Sequence, residues 1–291
     1  MPRFVHALAF LLVLGFVLWL ALGTMTPRHD RVWQPLYTVM PQASTTPESV
    51  TLLQVRDWRH TATTTYDYTY LATTTIDRAA LDTVWFTVQP FAKFAGVGHT
   101  LLTFELNDGR AYTFSIEARR EVGEEYTALR GLFNQYELIY AWGTARDFLG
   151  VRLFFLNDDL YHYPLQLTEE EAWRILTYLA EATAELHHTP RFYNTLSANC
   201  TNLLAKSINE RSPADPLPYG LAWNFPGYGD RYLQRQGYIA NAYDLVALRA
   251  QPGLQGYRRS LFMAAQAEDP AVFTAALASS SRALLQGVAN R

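Results

Sequence analysis

Lysine is almost missing from this chain: among 291 residues only Lys93 and Lys206 carry it. With a formal net charge of −3 and a pI near 6.2, no basic surface is available to track a phosphate backbone, so nucleic acid is excluded as a partner. Cysteine is scarcer still. Cys200 stands alone, no intramolecular disulfide can form, and stability has to come from packing. Motifs are missing too: no serine sits in G-x-S-x-G, neither lysine completes a phosphate loop, and neither H-E-x-x-H nor a C-x-x-C pair occurs. Nucleotide and zinc chemistry fall away, and no cofactor or metal is expected. What is present is an apolar fraction of 49%, enough for one sizeable core.

The longest apolar run, VHALAFLLVLGFVLWLALGTM, extends from Val5 to Met25 with no charge after Arg3 and matches the thickness of a bilayer core. Residues 1–25 therefore read as an uncleaved transmembrane anchor. The alternative is a signal peptide, with Ala21 and Gly23 as small residues near a cleavage site, although the run is long for one. Flanking charges nearly balance, and signal-like placement favours export of the rest. Residues 26–50 carry Pro27, Pro35, Pro41 and Pro47 among scattered Trp33, Leu36 and Tyr37, and read as a tether near the membrane surface.

Beyond the tether the composition predicts an α+β domain over 51–240 and a helical extension over 241–291. Thr51 to Gln89 is rich in Val, Thr, Tyr and Trp, which suit strands. Thr168 and Glu171 form a capping box, and Trp173, Leu176, Leu179 and Ala180 recur at helical spacing, so a helix is expected from about 169 to 187. His187 and His188 end it, at the terminus where histidine suits the helix dipole, rather than holding a metal. Asp269 and Pro270 form an N-cap and N1 pair that opens a last helix through about Leu285.

Chemistry centres on YNTLSANCTNLLAKSI. Ser197 or Asn199 can cap a helix that opens at Cys200, where the positive dipole end favours thiolate over thiol. The competing reading is a small buried hydrophobe. A thiolate nucleophile needs a base, and of the seven histidines His99 stands apart, because it follows Gly96-Val97-Gly98 and opens a hairpin with Asn107-Asp108-Gly109 at its turn. Setting Leu102, Phe104 and Leu106 on the same face as Tyr112, Phe114 and Ile116 requires even positions to pair with even ones. A three-residue turn with Gly109 left-handed achieves this, pairing 106 with 110 and placing His99 opposite Glu117. Glu117 can then orient the imidazole, with Ser115 as a substitute, or else pair with Arg119, Arg120 or Arg146.

The blocks GHTLLTFELNDGRAYTFSIEARREVGEEY, YELIYAWGTARDFLGVRLFFL, PRFYNTLSANCTNLL and FPGYGDRY resemble, in order, the bacterial family typified by the N-terminal periplasmic domain of Lnb, a lipoprotein N-acyltransferase. The resemblance spans roughly Thr51 to Tyr238. It implies a permuted papain-like (NlpC/P60-like) fold, an antiparallel sheet packed on helices in which histidine precedes cysteine. His99 becomes the base and Cys200 the nucleophile of a thiol acyltransferase, or of an amidase or peptidase. Asn199, Asn202, Tyr193 and Arg119 are candidates to hold substrate or complete an oxyanion site, and Arg119 and Arg120 face either lipid phosphates or Glu121 and Glu124. The expected setting is the bacterial inner membrane, crossed once, with the domain in the periplasm and a membrane lipid or lipoprotein as substrate. A catalytically silent envelope binding module is the reading from another class.

Overall fold

The computed structural model describes residues 25–91, 94–211 and 216–289, and isolated positions before them. The expected anchor lies for the most part outside the described residues. No helix among those described is long and apolar enough to cross a membrane.

The centre of the molecule is an eight-stranded sheet built from β1 (Gln42–Thr45), β2 (Ser49–His60), β3 (Thr65–Asp77), β4 (Leu81–Pro90), β5 (Gly98–Leu106), β6 (Ala111–Arg119), β7 (Glu137–Thr144) and β8 (Tyr161–Pro164). Its order is β1-β2-β7-β6-β5-β4-β8, with β3 paired to β2. Every ladder is antiparallel except β2 with β7, which meet in parallel at Arg56 and Gly143. The sheet is therefore mixed, which corrects the expectation of an antiparallel one. Two sequence-distant hairpin systems have to join somewhere, and β7 does so by pairing with β6 on one edge and β2 on the other.

The β5–β6 register follows the apolar pattern. Leu102 pairs with Phe114 and Phe104 with Tyr112, and Gly109 closes the turn at φ +85°, a conformation that costs glycine nothing. Leu102, Phe104, Leu106, Tyr112, Phe114 and Ile116 enter the main core with Trp173, Ile175 and Leu176. Those three come from a helix whose Thr168–Glu171 capping box is formed at both ends.

Among the described residues the named α-helices are, in chain order, α1 (Ala145–Gly150), α2 (Glu169–His188), α3 (Cys200–Arg211), α4 (Gly229–Arg235), α5 (Leu245–Arg249), α6 (Arg258–Ala265) and α7 (Pro270–Ala289). Asp269 caps α7 by accepting from the Ala271 N–H, with Pro270 at N1. The described part of the helical extension, residues 241–289, packs into both cores. Phe273 and Leu277 of α7 share a second core with Leu149 and Leu153, while Leu284, Leu285 and Val288 belong to the main core. Both faces of the central strands are thus covered.

The expected tether also departs from its reading, since β1 lies within 26–50 as an edge strand and Trp33 and Tyr37 are buried. The Arg119 guanidinium lies 4.1 Å over the Trp33 ring and donates to the Tyr37 and Thr38 carbonyls. His29 bonds the Leu186 carbonyl, and Arg31 pairs with Glu121 and Glu137. The two buried rings, with these hydrogen bonds and ion pairs, hold the proline-rich stretch as a strap across the end of β6.

Candidate active site

Cys200 opens α3, and the sequence before it explains why. The Asn199 side-chain carbonyl accepts from the Thr201 and Asn202 N–H groups, both at 2.9 Å, while the Asn202 side chain accepts from the Asn199 N–H and donates to the Leu196 carbonyl. This reciprocal cap satisfies two of the orphan donors of the first turn. Among the described residues no hydrogen bond takes up the Cys200 N–H. Asn199 and Asn202 thus cap α3, and of the two caps drawn from sequence it is Asn199, not Ser197.

The β5–β6 register carries His99 to the same place. His99 Nε2 lies 2.7 Å from Ser115 Oγ and 3.2 Å from a Glu117 carboxylate oxygen, and Ser115 Oγ donates to that oxygen at 2.6 Å. With Nε2 engaged there, Nδ1 is the nitrogen left for the thiol. Glu117 takes a further hydrogen bond from Arg152 at 3.0 Å. Its cation is therefore Arg152, none of the three arginines weighed from sequence. Arg146 pairs with Asp57, and Arg119 holds the strap. Arg152 is in turn fixed by Gln89 and by the Phe148 carbonyl. It was not legible beforehand, because the π-helical turn Val151–Phe155 that aims it leaves no pattern in sequence.

Charges at the site reinforce one another. Burial pulls the His99 imidazolium down, but Glu117 and Cys200 outweigh it and raise His99 to about 9. Burial pushes the Cys200 thiol up, yet the charge of His99 and hydrogen bonds from His99 and Thr100 hold it below its ordinary value. Burial also opposes ionisation of Glu117, and His99, Arg152 and Ser115 overcome it, keeping the carboxyl far below the usual carboxylate range. Both shifts run toward a thiolate–imidazolium pair, the form that a cysteine nucleophile requires. His162, by contrast, is stacked on Trp85 at 4.6 Å and driven down to about 3 by burial, so it stays neutral.

Cys200, His99 and Glu117 face a cavity of about 930 Å³. Its walls are largely aromatic and aliphatic: Trp58, Phe91, Phe148, Phe155, Leu196 and Phe225 among them, with Tyr193 beside the thiol and hydrogen-bonded to Tyr126. Of the further residues singled out from sequence, Tyr193 and Asn199 line the cavity, whereas Asn202 and Arg119 are not in its lining. The glycines before His99 line the cavity and also make a chain contact: Gly227 N–H donates to the Gly96 carbonyl, and a Cβ on Gly227 would stand 2.0 Å from the Ala95 oxygen. Gly227 belongs to the FPGYGDRY block, whose Asp230 is buried against Arg249 and Tyr163.

No curated protein and no solved structure matches this chain. The family model described as the Lnb N-terminal periplasmic domain matches residues 66–221, just over half of the chain and including His99, Ser115, Glu117, Arg152 and Cys200. The match is narrower than the resemblance read from sequence, leaving out β1, β2 and the helices after residue 221. On that match the chain belongs to the Lnb N-terminal periplasmic domain family.

Proposed function

We propose that this protein is a periplasm-facing thiol enzyme that moves acyl groups from lipid through an acyl-Cys200 intermediate. The observation that carries the reading is the convergence of Cys200, His99 and Glu117 on one large, mostly apolar cavity. The thiol proton resides on His99 Nδ1, and the Cys200 sulfur attacks the ester carbonyl to form a C–S bond. The oxyanion receives the free Cys200 N–H at the positive end of α3. As the tetrahedral adduct collapses, the C–O bond breaks and His99 returns the proton to the departing alcohol. An amine or water then attacks the thioester, loses its proton to His99 and releases the thiolate. Glu117 stays ionised throughout and stabilises the imidazolium, directly and through Ser115.

The chain order, histidine on a strand before cysteine at a helix start, supports a permuted papain-like arrangement. We further propose that residues 1–25 anchor the chain in the inner membrane, which would keep the cavity at high effective concentration of acyl lipid. The cavity walls favour this over an amidase or peptidase, whose substrates are polar. Intact-mass measurement of the full chain after incubation with phospholipid vesicles tests the reading. One acyl group on Cys200, absent in Cys200→Ala and in His99→Ala, is expected; cleavage of peptidoglycan fragments without any adduct would favour the amidase, and neither activity would favour a binding module.

A further inference from the structure

The charges lining the cavity are His99, Glu117, Arg56, Arg152 and Arg120. Four of the five are accounted for within the protein. Arg56 forms a bidentate pair with Asp147, at 2.6 and 2.8 Å, and His99 and Arg152 share Glu117. Arg120 has no carboxylate partner among the described residues. The acids that neighbour it in sequence are taken by others, Glu121 by Arg31 and Glu124 by Arg130 and the Glu121 N–H. The Arg120 guanidinium donates through one Nη to the Tyr37 hydroxyl at 2.6 Å and lies 5.2 Å over the Tyr37 ring. Among the described residues that hydroxyl is the one hydrogen-bond acceptor for its five N–H donors.

We infer that Arg120 is an anion subsite of the cavity and that the lipid it receives is a glycerophospholipid whose phosphodiester meets this guanidinium while an acyl chain lies along the aromatic wall. A guanidinium presents a planar fork that matches phosphate oxygens, which a single tyrosine hydroxyl does not saturate. Within a glycerophospholipid the ester carbonyls and the phosphate are separated by a few covalent bonds. Arg120, Glu117 and Cys200 line the same cavity, so one such molecule lying in it meets both the guanidinium and the thiol. Arg120 lies inside the family match of 66–221, whereas Tyr37, which comes from the strap, lies outside it. The inference rests on the acyl-transfer reading for its substrate but not for its test.

The test uses the full chain bearing Cys200→Ala in mixed micelles of a nonionic detergent. Binding of pyrene-labelled phosphatidylglycerol and of pyrene-labelled diacylglycerol is read by energy transfer from tryptophan. A preference of about tenfold for the anionic lipid is expected, lost with Arg120→Gln and partly kept with Arg120→Lys, as a charge-assisted hydrogen bond requires. Tyr37→Phe should keep the preference. Glycerol phosphate should fail to displace the lipid, which separates a lipid headgroup from free phosphate as the ligand. Equal affinity for the two lipids, a preference indifferent to Arg120→Gln, or its loss in Tyr37→Phe would overturn the inference. A preference that survives while wild-type Cys200 acquires no acyl group would instead remove the acyl-transfer reading and leave the anion subsite standing.

Discussion

Glu117 is the residue whose role separates a working site from a structural ion pair. Its charge is what lifts His99 above the ordinary imidazole value, so the imidazolium should persist until about pH 9 and set the alkaline limb of the rate profile there. Glu117→Gln removes that charge, and the alkaline limb should move down while turnover falls by about 10²–10⁴-fold, the range for loss of positioned acid–base chemistry. A pH–rate profile of the variant checks both. The same shift links to stability: His99 is raised in the folded state, so its pairing contributes fully below about 6.5 and is lost as pH rises through about 9. The gap between thermal melts of wild type and Glu117→Gln should therefore narrow across that window, the remainder at its upper end reflecting the Arg152 and Ser115 contacts. His99, Cys200 and Glu117 were legible because each rests on a local rule: a thiol in a first helical turn, a histidine opening a hairpin and a carboxylate fixed by register. Arg152 rests on a through-space aim that no spacing encodes.

At the scale of elements, the helix that presents the thiol depends on its reciprocal asparagine cap. Asn199→Ala should cost about 1 kcal/mol, the usual value of an N-cap, measured by denaturant titration. It should also slow alkylation of Cys200, because the first turn would no longer hold the sulfur against His99. The β5–β6 hairpin, the capping box at Thr168 and the Asp269–Pro270 start of α7 were all readable from sequence, since turn and cap chemistry are set within four residues. The parallel contact of β2 with β7 was not. Nothing local distinguishes a strand that ends a hairpin from one that also bridges two hairpin systems.

For the whole molecule, the matched span 66–221 is smaller than the folding unit. Val50, Leu52 and Val55 of β2 are fully buried, and Leu284, Leu285 and Val288 close the same core from the other end of the chain. A fragment of residues 66–221 should therefore lack a cooperative melt, and circular dichroism of that fragment beside the full chain would show it. The strap was misread for a related reason: proline spacing describes an isolated chain, whereas Trp33 and Tyr37 gain their stability from surfaces that only the folded sheet supplies. Because Cys200 is the sole cysteine, iodoacetamide reports on the proposed centre without interference. The rate of Cys200 alkylation against pH, in wild type and in His99→Ala, is the most direct measurement of the account. The thiolate should titrate below the ordinary thiol value of about 8.5 in wild type and return to it or above in the variant; coincident profiles with an ordinary midpoint would contradict it.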